Sequence, residues 1–221
     1  MPLNKVSKNG NMYSFITHTW NTVKGICEHN CSYCYMKNKG PLNPVRFDNK
    51  ELKTDLGQRN YIFVGSSNDM FSKNTSELWI NETLGHCLKH DMNQYMFQSK
   101  NPARFFDFKY PEETVFCTTI ETNRWYPKIM QNAPKPQERS YAMNELKGHT
   151  SYVTIEPILD FDVDELFELI VMCKPNQVNI GADSCGHKMP EPSVEKIMML
   201  IEMLKGFTKI HRKTNLKRLL K

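Results

Sequence analysis

Apolar positions along the chain fall into short runs that alternate between two periodicities. Residues 14–20, ending on Thr19 and Trp20, predict a first strand. Residues 61–65 (YIFVG) form a short apolar run that stops at a Gly-Ser-Ser turn, which predicts a second, buried strand. Four more strands are predicted: 94–99 (QYMFQS), 115–121 (VFCTTIE, rich in β-branched residues), 152–156 (YVTIE, closed by Pro157) and 177–182 (QVNIGA). Helical spacing lies between them. It covers 78–89, with Asn74 or Thr75 as the expected N-cap, a short piece over 102–108, and 137–146 after a proline-punctuated loop over 127–136. Asp162 with Glu165 three residues later reads as a capping pair opening a helix to about Cys173. Val194, Ile197, Met198, Ile201 and Leu204 mark one face of a last helix.

Strands that alternate with helices imply a parallel sheet with right-handed crossovers. An eight-unit barrel takes roughly 250 residues, whereas this chain has 221 and shows about six units. The expected fold class is therefore α/β: an incomplete (β/α)6 TIM-like barrel of parallel strands in a single domain, with an open doubly wound sheet as the competing architecture. In both, ligands bind beyond the carboxyl ends of the strands. Polar residues concentrate at those ends: Gly65-Ser66-Ser67-Asn68-Asp69, Ser99-Lys100-Asn101, Glu121-Thr122-Asn123-Arg124, Glu156-Pro157 and Gly181-Ala182-Asp183.

Composition narrows the class without changing the fold. Charged residues make up 24% and hydrophobic residues 39%, as in folded proteins. Mean hydropathy is −0.58, and the longest apolar run, residues 197–201, is too short for a membrane helix. The stretch from Met1 to Gly10 is polar and unlike a signal peptide, so a cytoplasmic protein is expected. Net charge is +5, but 205–221 carries seven Lys or Arg and no acid, leaving 22 basic against 24 acidic residues elsewhere. On that basis the chain divides into a barrel with an N-terminal extension over 1–206 and a basic C-terminal tail over 207–221. Such a tail suits a polyanion through phosphate neutralisation, or is a solvated helix end.

Seven cysteines, an odd number, argue against a disulfide framework. Cys87, Cys117 and Cys173 fall within regular elements and are expected as core thiols, and Cys185 falls in a loop past the last strand. Cys27, Cys31 and Cys34 are spaced C-x3-C-x2-C on the loop after the first strand. Three explanations compete. A helix would put the three on one face as packed thiols. A closed zinc site needs a fourth ligand, for which His18 or His29 is at hand. A four-iron cluster held by three thiolates leaves one iron without a protein ligand, open to substrate or cofactor.

C-x3-C-x-aromatic-C on the loop after a first barrel strand resembles the radical S-adenosylmethionine (radical SAM) superfamily. Thr19 to Cys27 together with Cys31, Tyr33, Cys34 and Tyr35 is similar to a phage-associated branch of it, distantly related to the spore photoproduct lyases. The strand ends carrying Phe63 to Phe71, Gln98 to Arg104, and Thr154-Ile155-Glu156-Pro157 extend the likeness over about residues 17–186. The resemblance implies that Cys27, Cys31 and Cys34 ligate [4Fe-4S] and that SAM binds the fourth iron through its amino and carboxylate groups. One electron then splits SAM to methionine and a 5′-deoxyadenosyl radical, which abstracts hydrogen from a substrate. The protein orients the reactants and excludes side reactions.

The same resemblance implies individual roles. Tyr33 lies beside the adenine. Gly65, Ser66 and Ser67 meet the SAM amino group, where the family often has Gly-Gly-Glu. Ser99 and Lys100 end the third strand at the cofactor. Thr119 and Glu121 meet the ribose. Arg124 clamps a carboxylate or is a surface arginine. Glu156 binds SAM or substrate, or pairs with Lys100. Cys185 returns a hydrogen atom to a product radical or is an exposed loop cysteine, and His187 shares that ambiguity. The implied substrate is a nucleic-acid base, for example a modified thymine in phage DNA. The basic tail and the aromatics interleaved with cations over 100–128 agree with that. A peptide or small metabolite is the alternative substrate class, and a non-catalytic iron–sulfur or zinc module the alternative to an enzyme. Isomerase, lyase and transferase chemistry stay open. A flavodoxin or ferredoxin as electron donor and a monomeric state complete the expectations.

Overall fold

A computed structural model describes residues 2–7 and 10–221. Of the polar start, Met1, Lys8 and Asn9 lie outside the described residues. Ten strands form in chain order: β1 (Asn4–Lys5), β2 (His18–Trp20), β3 (Val23–Lys24), β4 (Arg46–Phe47), β5 (Tyr61–Val64), β6 (Gln94–Ser99), β7 (Thr114–Thr119), β8 (Thr150–Ile155), β9 (Gln177–Ile180) and β10 (Lys209–Arg212). The α-helices are α1 (Glu77–Leu88), α2 (Pro127–Met130), α3 (Pro136–Glu145), α4 (Val163–Met172) and α5 (Val194–Lys205). The main sheet has the order β1-β2-β5-β6-β7-β8-β9-β10, and β3 and β4 pair separately. From β2 to β10 every neighbouring pair is parallel, and β1 joins antiparallel at one edge. Among the described residues β1 and β10 do not pair, so the sheet curls without closing.

The expected α/β partial barrel is present, with one more parallel strand than periodicity finds. The stretch 207–221, read from its charge as a tail, is folded. β10 pairs in register with β9 from Lys209–Gln177 to Arg212–Ile180. A 3-10 turn follows over Thr214–Leu219 and buries Leu216 completely. A single central apolar residue, Ile210, among Lys209, His211 and Arg212 is too little for an alternation signal. Other boundaries shift less. The first strand begins at His18 rather than residue 14, and α2 forms inside the expected proline loop. The N-cap of α1 is Ser76. Asp162 precedes α4, but its side chain caps nothing.

The two faces of the sheet bury different things. Trp20, Val64, Phe97, Phe116, Ile155 and Ile180 face the helices in one apolar core. Phe71, Phe105 and Phe116 are buried and in ring contact, and Phe108 and Tyr110 pack against them. Of the aromatics expected to stack bases, Phe105, Phe108 and Tyr110 thus belong to the core, whereas Phe106 is half exposed and Trp125 and Tyr126 are partly exposed outside it. The alternate residues Phe63, Met96, Val115 and Cys117 face the concave side, where Tyr13 and Ile16 from the chain before β2 cover them. The Tyr13 hydroxyl donates to Gln98 Oε1 (2.9 Å) and shares a hydrogen bond with Thr154 Oγ1 (2.8 Å). This apolar plug fills the lower half of the barrel and leaves polar side chains to line the end toward which the strands run.

If 207–221 is part of the core, Leu216→Ala costs about 2–5 kcal/mol, as buried leucine truncations do. Urea unfolding followed by circular dichroism measures this. A loss near zero contradicts it.

Candidate active site at the strand ends

A cavity of about 870 Å³ opens at the carboxyl ends of the strands, and Cys27, Cys31 and Cys34 all line it. The loop that carries them is held in an irregular path. Gly25 has φ 103°, and a Cβ there would meet the Pro44 carbonyl oxygen at 2.4 Å, so only glycine fits. Asn30 takes a left-handed turn at φ 51°, a conformation that asparagine tolerates. The Ser32 amide donates to the Ile129 carbonyl (2.9 Å) and the Asn132 amide to the His29 carbonyl (3.1 Å), which pins the loop to α2. Residues 27–34 contain no helix, so the cysteines are not a packed helical stripe. Cys87, Cys117 and Cys173 are buried within or beside regular elements, as expected of core thiols.

Two buried carboxylates tie this loop to the sheet. Glu121, just beyond β7, is fully enclosed and accepts from Arg139 Nη1 on α3 at 2.7 Å. It also accepts a short hydrogen bond from the Tyr33 hydroxyl, and Lys100 Nζ lies 3.8 Å away. Burial opposes ionisation of Glu121, but Arg139 and Lys100 outweigh it and hold its carboxyl below the usual range. Asp69, after β5, accepts from His29 Nε2 (2.9 Å), Ser99 Oγ (3.0 Å) and the Lys100 amide (2.8 Å). Burial again opposes ionisation, and His29 with the other donors outweighs it. Lys100 stays charged because Cys31 and Glu121 more than offset its own desolvation.

Several expected roles change here. The Tyr33 hydroxyl is committed to Glu121 and its ring carries Lys100 Nζ at 5.3 Å. Glu121 is fully enclosed and does not line the cavity; it anchors Tyr33 and Arg139. Arg124 does not line the cavity either. Its guanidinium clamps protein carboxylates, held by Asp160 and by both oxygens of Asp162. Glu156 lines the cavity but pairs with Lys213 Nζ (2.5 Å) and not with Lys100. Asn11 (2.9 Å) and Asn215 (2.8 Å) donate to its other oxygen. Gly65 shapes the turn at φ 79°, while Ser66 and Ser67 line the cavity and bond Asn21. Ser99, Lys100 and Thr119 also line it, Thr119 Oγ1 accepting from Gln98 Nε2 at 3.0 Å. Cys185 is exposed at its rim, and His187 bonds Asp183 outside it.

Asp69, Arg139, Lys213, Asn11 and Asn215 are the site residues that sequence reasoning assigned no role. Asp69 stood within a polar strand end. Lys213 stood in the basic stretch, where net charge hid it.

The donor set fits an iron–sulfur cluster better than zinc. Among the described residues no three His, Cys, Asp or Glu converge on a single-ion position. His29 Nε2 is taken by Asp69, and His18 Nδ1 by Thr17. A cubane does not need such convergence, because each thiolate binds a different iron. Three thiols on one loop facing one cavity supply that. Burial, with Asp69 adding to it, pushes the Cys27 thiol up to about 12, and burial also raises Cys31 against the pull of Lys100. Metal binding must therefore release their protons.

Both buried carboxyls titrate lower in the folded chain than their ordinary 4.5 and 3.8. Their stabilisation is complete above those values and is lost as pH falls through the folded ones. Glu121→Gln, which strands Arg139, is expected to lower stability at neutral pH by about 3–5 kcal/mol. It also flattens the acid limb in urea melts across pH, and an unchanged acid limb contradicts the assignment.

No protein-family profile matches the sequence, and no curated protein matches it. Solved structures do resemble it. A cysteine-to-serine mutant of spore photoproduct lyase superposes at TM-score 0.67 with 12% identity, over 95% of this chain and 80% of that one. A cysteine-to-alanine mutant with dinucleoside spore photoproduct gives 0.67 and 10%, over 96% and 81%. A double mutant with bound AdoMet and dinucleoside spore photoproduct gives 0.67 and 11%, over 96% and 81%. At these identities the likeness shows the fold: a partial, mostly parallel barrel in one domain.

Proposed function

We propose that the chain is a radical SAM enzyme. The observation that carries this reading is the C-x3-C-x2-C triad of Cys27, Cys31 and Cys34 lining the strand-end cavity of this barrel. A structural neighbour holds AdoMet, the same molecule as SAM. Cys27, Cys31 and Cys34 would hold [4Fe-4S], which when reduced supplies the electron that cleaves SAM to a hydrogen-abstracting 5′-deoxyadenosyl radical. On this reading Ser66, Ser67, Ser99 and Thr119 line the SAM side of the cavity and offer hydrogen bonds. The charged Lys100 beside the cysteines suits a carboxylate. Tyr33 orients Lys100, and Glu121 anchors both. The plug of Tyr13 and Ile16 closes the floor against water.

Glu156 and Lys213 form the second polar wall, with the thiol of Cys185 at the rim. This wall faces the substrate. We infer a nucleic-acid base as substrate, for example a modified thymine in phage DNA. The neighbours bound to dinucleoside spore photoproduct support this, as do the cations of β10 and the turn after it. The chain would act as a cytoplasmic monomer with flavodoxin or ferredoxin as reductant.

The reading predicts that protein reconstituted without oxygen holds iron and sulfide and, once reduced with SAM, forms 5′-deoxyadenosine, while Cys31→Ala does neither. One zinc per chain, or a cluster that never cleaves SAM, overturns it. Single-stranded DNA binding should weaken steeply with salt, and salt-independent binding or none removes the substrate assignment alone.

A further inference from the structure

Charge does not balance in the lining of the strand-end cavity. Five lysines line it (Lys5, Lys37, Lys39, Lys100 and Lys213) against three carboxylates, Asp69, Glu156 and Asp183. Each carboxylate is held from within, Asp69 by His29, Glu156 by Lys213 and Asp183 by His187. Lys100 faces Glu121. Lys5, Lys37 and Lys39 remain. All three are exposed, and none enters an ion pair among the described residues.

Two elements place them there. Lys5 sits on β1, in register with His18 of β2. Lys37 and Lys39 sit on the 3-10 turn Tyr35–Lys39 that follows Cys34 directly. Lys37 Nζ donates to the Asn30 carbonyl at 2.8 Å, which ties it to the cysteine loop. Residues 35–46 hold three cations and no acid. Tyr35 stands among them. Its hydroxyl donates to the Ser66 carbonyl at 2.7 Å, and Lys39 Nζ lies 5.4 Å from its ring centre, yet the residue is 43% exposed. Cations beside a fixed, accessible ring suit a nucleic-acid strand, whose phosphates meet the charge while a base stacks on the ring. An acidic protein surface would use the charge alone.

We propose that Lys5, Lys37, Lys39 and Tyr35 form a rim that holds the strand next to the reacting base, so that the substrate is a base within a polynucleotide strand and not a free nucleoside. The proposal rests on the reading that the substrate is a nucleic-acid base.

The test uses the reconstituted protein and a fluorescent oligothymidylate, with affinity followed against salt by anisotropy. In the triple variant Lys5→Gln/Lys37→Gln/Lys39→Gln the log–log slope should become shallower by about 2, at ~0.7 for each lost phosphate contact. Lys89→Gln/Lys147→Gln/Lys174→Gln removes the same charge from segments that precede β6, β8 and β9, at the other end of the barrel, and should keep the wild-type slope. Tyr35→Leu should weaken binding about tenfold without moving the slope, as the loss of one stacked base does. Unlabelled oligothymidylate should displace the probe, and thymidine, which has no phosphate, should not. Should the rim triple fail to fold, its single exchanges carry the measurement, each with a change of ~0.7. An unchanged slope in the rim variants, or an equal change in both triples, overturns the proposal and leaves the base assignment standing. A rim triple that binds the oligonucleotide normally but loses affinity for flavodoxin also overturns it, and gives the surface to the reductant. A wild type that binds no oligonucleotide overturns the proposal together with the base assignment, while 5′-deoxyadenosine formation in the same preparation decides the radical reading separately.

Discussion

Glu121 and Arg139 are both withdrawn completely from solvent, and desolvating two ions costs more than their attraction returns unless the remaining lone pairs and protons are also matched. Here most of the matching comes from the site itself, although Arg139 Nη2 is buried without a hydrogen-bond partner among the described residues. The Tyr33 hydroxyl and the Lys100 ammonium join Arg139 around the one carboxylate. Arg139 also donates to the carbonyls of Pro134 and Thr119, at 2.7 and 2.8 Å. The pair is stable only while the cysteine loop, the end of β6, the end of β7 and α3 keep their places. An interaction that is expensive in isolation therefore fixes geometry. Asp69 repeats the device two strands away, at the end of β5, with His29 in place of Tyr33. Between them the two carboxylates hold the cysteine loop at two points, through Tyr33 and through His29.

The cavity is consequently two walls of different character. On one side lie soft thiols and a buried cation. On the other, Glu156 is saturated by Lys213, Asn11 and Asn215, which come from the two ends of the chain. Gly181 is part of that second wall. A Cβ there would stand 2.7 Å from Glu156 Oε1, so the backbone approaches the carboxylate as only glycine allows. The open edge of the sheet, between β1 and β10, is where these terminal segments meet the barrel.

Much of this was legible in the sequence, because strands buried on both faces leave continuous apolar runs and β6 keeps the predicted bounds of 94–99. The cysteine triad stood out by its spacing, which by itself left a packed stripe, a zinc site and an iron–sulfur cluster open. What stayed hidden depends on pairing across distance. Arg124 satisfies Asp160 and Asp162, and no periodicity joins residues so far apart. Asp162 looked like a cap because local pattern says nothing of a guanidinium on another strand end. β10 was masked by its own cations, which an exposed edge strand tolerates and composition counts as a tail. The aromatics over 100–128 read as a stacking surface because sequence gives their type and not their facing, and packing turned Phe105, Phe108 and Tyr110 inward.

The central claim is that this network presents three thiolates around a cluster with one open iron. Mössbauer spectra of protein reconstituted with 57Fe, taken with and without SAM, test it most directly. The account predicts a [4Fe-4S] spectrum in which a single iron subsite changes when SAM is added, and loses that response in Cys31→Ala. Four iron subsites unmoved by SAM, or no cluster spectrum at all, would contradict it.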